Sequence, residues 1–136
     1  MASQPTAGEL AEQVRAALDS ADLAAIGELL HPDVRWGAPG DPEPSCRNRA
    51  QVLAWYRRGR DAGVRARVAE VVAHGDKILV GLTVAGRAGA DEKAGAESDR
   101  WEVLTVGEGQ IVDIRGFDDR GEAADYAGMP PGPDQR

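Results

Sequence analysis

The chain has 136 residues, of which 42% are hydrophobic and 29% charged, and its net charge is −7. This length suits one domain whose core needs no disulfide or metal for support. The negative charge argues against a nucleic-acid or anionic-membrane surface, since both need clustered cations. A single cysteine, Cys46, excludes an intrachain disulfide and a cysteine-based zinc site. His31 and His74 do not have the spacing of a ligand pair, so we expect no metal and no cofactor.

The beginning of the sequence, "MASQPTAGEL", has no apolar core of the kind found in signal peptides. No apolar run reaches the 18 residues that a membrane-spanning helix needs. We therefore expect a cytoplasmic protein without membrane contact, and the sequence bias fits a bacterial source. Residues 1–128 are expected to form a single domain, and 129–136 a disordered tail.

Helical periodicity marks the first half of the chain. Thr6-x-x-Glu9 is a capping box, and Leu10, Val14 and Leu18 recur every fourth residue, which predicts a helix that ends near residue 19. The next predicted elements are a helix that starts at 20–22 and is stopped by Pro32, a short strand over 33–38, and a helix capped by Asn48 that ends at Gly63.

The second half changes to the alternation of strands. The predicted strands cover 64–74, 78–85, 100–106 and 111–118, with a mobile hairpin loop at 86–99 and a short helix over 121–127. This order predicts an α+β fold, in which a curved, mostly antiparallel sheet wraps over three N-terminal helices.

Three stretches carry a family resemblance: "AALDSADLAAIGELLHPDVRW" at 16–36, "VVAHGDKILV" at 71–80 and "VGEGQIVDIRGFDDRGEAADYAG" at 106–128. In order and spacing the chain resembles the nuclear transport factor 2-like superfamily, in its SnoaL-like branch. The resemblance implies a cone-shaped α+β barrel with a deep pocket for a hydrophobic small molecule. It also implies a homodimer through the outer face of the sheet. Because this superfamily includes enzymes of several kinds and binding proteins, function has to be argued from the site.

The catalytic patterns known in the superfamily are not intact in this chain. Where ketosteroid isomerases have a general-base Asp and an oxyanion-hole Tyr, this sequence has Ala38 and Val14, and Glu102 matches their protonated Asp. Where polyketide cyclases have an Asp on the last strand, it has Gly116.

The limonene-epoxide-hydrolase pattern also fails at its central motif. That pattern needs an Arg-x-Asp on a central strand, and the equivalent places hold Leu82 and Val84. Asp119 matches its second Asp. One matching residue does not indicate that reaction.

Alternation along the strands predicts which side chains line the pocket. If Ala38, Glu102 and Gly116 face inward, so do the residues two and four positions before Ala38 and Gly116, Val112 among them, and the residue two positions after Glu102. The third helix adds two aromatic residues. The predicted lining is apolar: Val34, Trp36, Ala38, Trp55, Tyr56, Val80, Leu82, Val84, Leu104, Ile114 and Gly116. Asp33 is a second candidate acid, although a turn role suits its position after Pro32.

Glu102 is the one acidic group among these strand positions. In an apolar cavity its pKa would rise, because burial disfavours the charged carboxylate. It could then act as a general acid or base on a carbonyl-bearing substrate. The alternative is a strand shifted by one residue, in which Glu102 faces solvent while Trp101 and Val103 line the core.

Two functions remain open from the sequence. One is a cofactor-independent enzyme of isomerase, cyclase or lyase type that uses Glu102. The other is a non-catalytic ligand-binding or interaction dimer. Four residues on the opposite face from Ile114 are candidates for a dimer surface: Arg67, Thr83, Asp113 and Arg115.

Overall fold

The computed structural model describes residues 6–20, 22–38, 46–85 and 97–129. It confirms the α+β class, with a curved, open sheet and helices packed against it. The elements in chain order are α1 (Ala7–Ser20), α2 (Leu23–Leu29), β1 (Leu30–Gly37), α3 (Arg49–Asp61), β2 (Arg65–His74), β3 (Lys77–Ala85), β4 (Glu97–Gly107), β5 (Gln110–Phe117) and α4 (Arg120–Tyr126). The expectations for a mobile loop and a disordered tail concern residues that lie largely outside the described ranges, at 86–96 and 130–136.

Side-chain hydrogen bonds cap the N-termini of α1 and α3 at the residues that the sequence predicts. The Thr6 side chain accepts the backbone N–H of Glu9 at 3.2 Å, and the Glu9 side chain accepts that of Thr6 at 3.0 Å, which completes the capping box of α1. The Asn48 side chain accepts the backbone N–H of Gln51 at 2.9 Å and caps α3. No helix in the described part of the chain is long and apolar enough to cross a membrane.

The second helix is shorter than its apolar pattern predicts. It ends at Leu29, and Leu30 is already extended, with φ −93° and ψ 133°. Pro32 prevents the helix from continuing, because it has no N–H to donate to the carbonyl of Glu28 and its ring would clash with that carbonyl. Because β1 is an edge strand, the missing N–H of Pro32 leaves no central ladder bond unmade.

The five strands lie in the order β1-β5-β4-β3-β2, which makes β4 the central strand. β1 pairs with β5 in parallel, and the other three pairings are antiparallel. Trp36 and Cys46 also exchange two backbone hydrogen bonds, of 2.9 and 3.0 Å, in an isolated antiparallel bridge. The two ends of the sheet do not pair in the described part of the chain.

Two hydrophobic clusters are present, one on each face of the sheet. The larger one lies between the inner face and helices α1, α2 and α3. The smaller one lies on the outer face, where α4 and Met129 cover Leu79, Val103 and Phe117. The sequence predicts the short helix without showing that it covers the outer face.

Two bulges set which side chains face inward. Ala69 has no partner in β3, because Val68 pairs with Leu82 and Glu70 pairs with Gly81. On β5 the register shifts at Val112, so that Ile111 is buried in the main cluster and Val112 is not. The expectation that Val112 faces the pocket is therefore wrong, since simple alternation does not survive a bulge.

On the outer face, Gly81 leaves the space in which a cluster of polar groups assembles. The Arg120 guanidinium donates to both carboxylate oxygens of Glu70, at 2.7 and 3.2 Å. Hydrogen bonding from Arg120, and secondarily from Trp101, lowers the pKa of Glu70 against the opposing effect of its burial. A Cβ at Gly81 would lie 2.9 Å from the Glu70 Cγ and 3.2 Å from the Trp101 indole nitrogen. These contacts fix α4 to the sheet.

We expect Gly81→Ala to lower the free energy of unfolding by about 1–3 kcal/mol, because the added methyl overpacks this cluster. Gly59→Ala is the matched control. Gly59 lies within α3, and a Cβ there would meet nothing closer than the Val64 side chain at 3.8 Å. This substitution should stabilise the protein by about 0.5–1 kcal/mol. Urea unfolding of both variants tests the pair, and effects of the same sign would contradict this account of Gly81.

Candidate functional site

A small apolar cavity lies between the helices and the inner face of the sheet. It is lined by Val14, Ala17, Leu18, Ile26, Leu29, Leu30, Tyr56, Glu102, Leu104, Ile111 and Ile114. The centre of a water-sized molecule can occupy ≈ 20 Å³ of it, which is room for one or two waters. A larger ligand therefore has to displace lining side chains.

Glu102 brings a carboxyl group into this cavity from the middle of β4. It pairs with Val80 of β3 on one side and with Gly116 of β5 on the other. Its side chain is directed inward and the residue is 8% exposed. Among the described residues, no group donates a hydrogen bond to this carboxyl. No fully enclosed side-chain nitrogen or oxygen among the described residues lacks a hydrogen-bond partner, so the oxygens of this carboxyl reach the open space of the cavity, where a water or a ligand can donate to them.

Burial raises the pKa of Glu102 from 4.5 to about 7, and the positive charge of Arg100 acts in the opposite direction. Desolvation outweighs the charge because the cavity wall is apolar. A carboxyl group with this pKa exists in both protonation states near neutral pH. It can accept a proton in one state and donate one in the other.

Tyr56 is the second polar side chain in the cavity, and it comes from α3. Burial, with smaller contributions from Glu102 and Cys46, raises the pKa of Tyr56 well above 10. Its hydroxyl group therefore keeps its proton and can donate a hydrogen bond. The Tyr56 ring packs against Trp36 and Trp55, with ring centroids 5.2 and 5.6 Å apart.

Several side chains predicted for the pocket lie on the inner face. Tyr56, Glu102, Leu104 and Ile114 line the cavity itself. Other predicted residues belong to the surrounding core: Val34, Val80 and Leu82 are buried, and Trp36 and Val84 are partly buried. Gly116 lies beside Glu102 and contributes no side chain.

Three predicted positions lie elsewhere. Ala38 is exposed because β1 ends at Gly37, so the alternation that placed it inward stops before it. Trp55 is 48% exposed, because it is adjacent to the inward-facing Tyr56 on α3 and neighbouring residues of a helix point in different directions. Its ring contacts Trp36. Asp33 is exposed on the edge strand, where its backbone N–H donates to the His31 ring. Neither Ala38, Trp55 nor Asp33 lines the cavity.

The sequence prediction missed most of the wall that the helices supply. Val14, Ala17 and Leu18 come from α1, and Ile26 and Leu29 from α2. The fourth-residue repeat of α1 marks its apolar stripe in the sequence. That repeat does not show which part of the sheet the stripe faces.

Arg100 is a further functional candidate that the prediction missed. It lies two residues before Glu102 on the same face of β4, and its Nη2 would be 3.3 Å from a Cβ at Gly116. Nη1 donates to the exposed carboxylate of Asp118. Arg100 and Glu102 thus have the spacing of an Arg-x-acid pair on the central strand. They lie on β4, whereas the places equivalent to the epoxide-hydrolase Arg-x-Asp are Leu82 and Val84 on β3. Within the described ranges, no three His, Cys, Asp or Glu side chains are grouped as metal ligands.

Solved structures with this fold are similar to the chain at low sequence identity. A proposed polyketide cyclase from Pseudomonas putida is 21% identical with a TM-score of 0.66, over 93% of this chain and 99% of that one. A proposed polyketide cyclase from Sinorhizobium meliloti is 22% identical with a TM-score of 0.58, over 77% and 90%. A protein with a ketosteroid isomerase-like fold from Catenulispora acidiphila, solved with trimethylamine, is 16% identical with a TM-score of 0.63, over 92% and 96%. These likenesses establish the fold.

A comparison with curated proteins gives no match. The family model of the SnoaL-like domain matches residues 11–114, a range that contains most of α1, the whole of β4 and most of β5. The chain therefore belongs to the SnoaL-like domain family, within the nuclear transport factor 2-like superfamily.

Proposed function

We propose that this protein is a cofactor-independent enzyme of isomerase, cyclase or lyase type, acting on a hydrophobic carbonyl compound. The observation that carries the proposal is the Glu102 carboxyl group, directed into an apolar cavity without a hydrogen-bond donor among the described residues. A buried acid of this kind costs stability, and a perturbed acid in a cleft is typical of catalytic sites.

In the proposed reaction, the Glu102 carboxylate removes a proton from the carbon next to the substrate carbonyl. The electron pair of the broken C–H bond moves to the carbonyl oxygen and forms an enolate. The Tyr56 hydroxyl donates a hydrogen bond to that oxygen, as an oxyanion donor does. Return of the proton to another carbon completes an isomerisation. Attack of the enolate carbon on a second carbonyl group forms an alkoxide, which takes the proton from Glu102 and completes a cyclisation. In an elimination, the enolate re-forms the carbonyl and expels a leaving group, which takes that proton.

The first step is testable without knowledge of the natural substrate. The protein is incubated in D₂O with a panel of hydrophobic ketones, and deuterium uptake next to the carbonyl is followed by mass spectrometry. We expect exchange above the background for some of them, and we expect Glu102→Gln to reduce it about 10²- to 10⁴-fold, because the general base is lost. Tyr56→Phe should reduce it less, by roughly tenfold to a hundredfold, while retaining the ring that packs on Trp36.

Glu12→Gln is the control for the loss of one carboxylate, because Glu12 is exposed on α1. Its exchange rate should equal that of the wild type. Circular dichroism of each variant establishes that the fold is retained. A Glu102→Gln variant that is folded and exchanges as fast as the wild type would remove Glu102 from the mechanism.

The alternative is a binding protein without chemistry. It is favoured by the small cavity and by the residues Val14, Ala38 and Gly116, which stand where related enzymes have catalytic groups. It predicts ketones that raise the melting temperature and are recovered without deuterium.

In the alternative, we propose a homodimer through the part of the outer face that α4 leaves open. Val72 is 38% exposed there, and Thr83 pairs with Arg67 on the same face. Asp113 and Arg115 form an ion pair of 3.0 Å with each other. Sedimentation equilibrium that shows a monomer at micromolar concentration would contradict this dimer.

A further inference from the structure

Arg100 lies on the same face of β4 as Glu102, beside the residues that line the cavity. Its guanidinium extends across Gly116, the residue that pairs with Glu102 on the neighbouring strand. Since Gly116 has no side chain, no β5 side chain at this position stands between the guanidinium of Arg100 and the Glu102 side chain. The Arg100 side chain is 35% exposed. A molecule that reaches Glu102 from this side can therefore contact both residues.

The contacts of Arg100 leave it able to bind a further anion. Nη1 donates to Asp118, and no other acceptor for this guanidinium is found among the described residues. The Asp118 side chain is 86% exposed, and exposed ion pairs of this kind contribute little to stability. A carboxylate on a ligand can compete for the guanidinium at small cost. Arginine is suited to such a carboxylate, because its planar fork can donate two parallel hydrogen bonds.

We propose that Arg100 recognises a carboxylate on the substrate, so that the substrate class is a hydrophobic keto acid. Residues two apart in a strand are separated by about 7 Å, which sets the approximate distance between the substrate carboxylate at Arg100 and its reacting carbon at Glu102. This inference rests on the proposed function, and it adds a charged group to the substrate described there.

The charge of Arg100 also connects the binding of a substrate carboxylate with the basicity of Glu102. Arg100 lowers the pKa of Glu102. A substrate carboxylate bound to Arg100 would offset that positive charge, and the Glu102 carboxylate would become a stronger base when the substrate is bound. A neutral substrate would not have this effect.

The test uses a matched pair of ligands, a cyclohexyl ketone with a terminal carboxylate five bonds from the carbonyl carbon, and its methyl ester. Isothermal titration calorimetry measures the affinity of each. We expect the wild type to bind the carboxylate roughly tenfold to a hundredfold more tightly than the ester, as a charge-assisted hydrogen bond implies. In Arg100→Gln the preference should disappear. In Asp118→Asn it should increase several-fold, because the competing carboxylate is gone.

Arg57→Gln is the control for loss of one positive charge, since Arg57 is exposed on α3, and it should retain the preference. Equal binding of the two compounds by the wild type would overturn the inference. So would a preference that survives in Arg100→Gln, or the absence of binding by both compounds.

Deuterium exchange on the same pair separates this inference from the proposed function. Tighter binding of the carboxylate without exchange supports recognition by Arg100 and contradicts the enzyme. Equal binding with exchange of both compounds supports the enzyme and overturns the role of Arg100.

Discussion

Replacing Glu102 by glutamine is expected to stabilise the protein at pH 8, by about 3 kcal/mol more than it does at pH 4. The reason is the pKa of Glu102, which rises from 4.5 in the unfolded chain to about 7 in the fold. Between these values the folded protein holds a proton that the unfolded chain releases, so the free energy of unfolding falls as the pH rises. Below 4.5 both states are protonated, and above 7 the loss is complete. The size follows from the difference between the two pKa values, since a tenfold change in proton affinity corresponds to about 1.4 kcal/mol.

The measurement is urea unfolding of both proteins from pH 4 to pH 8. The difference between them isolates Glu102, because the other titrating groups are common to both. Glu12→Gln, on the exposed side of α1, should follow the wild type throughout. Parallel curves for the wild type and Glu102→Gln would show that the carboxyl is solvated in solution, which would also remove the basis of the proposed chemistry.

Replacing Ile114 by alanine is expected to cost about 2–5 kcal/mol of unfolding free energy, as for other buried Ile-to-Ala changes. Ile114 is among the largest fully buried side chains, and it pairs with Leu104 on β4 and with Trp36 on β1. It also lines the cavity. The lost side chain should therefore enlarge the cavity and allow bulkier apolar ligands to bind.

Leu79→Ala separates these two effects. Leu79 is fully buried on the outer face, in the cluster under α4, and it does not line the cavity. The loss of stability should be similar in both variants. Benzene or indole should raise the melting temperature of Ile114→Ala and not that of Leu79→Ala. Equal stabilisation of the two variants would show that the ligand does not occupy this cavity.

Regular alternation made part of this site predictable from the sequence. Ile78, Val80 and Leu82 mark the inner face of β3, and β4 continues the same pattern, so Glu102 and Leu104 follow on the inward side. The same rule also places Arg100 inward, two positions before Glu102. Arg100 was therefore predictable from the same alternation, although the predicted lining did not include it.

Other parts of the site depend on geometry that the sequence does not display. A bulge at Val112 brings Ile111 into the cavity in its place. The end of β1 at Gly37 leaves Ala38 exposed. The position of α4 on the outer face depends on Glu70, which faces outward because of the bulge at Ala69, and on its ion pair with Arg120, fifty positions later. Contacts over such separations are set by the whole sheet and not by local pattern.

The central place of β4 has a consequence for how this protein could diversify. Both neighbours of Glu102, Val80 and Gly116, are held in ladders of backbone hydrogen bonds, so the acidic group has a fixed origin. Half of the other side chains that line the cavity come from α1 and α2, Ala17 and Ile26 among them. Substitutions at these helix positions can change the shape of the cavity, and so the ligand that fits it, without moving the Glu102 carboxyl. Homologues should accordingly vary in ligand while keeping the geometry of this strand.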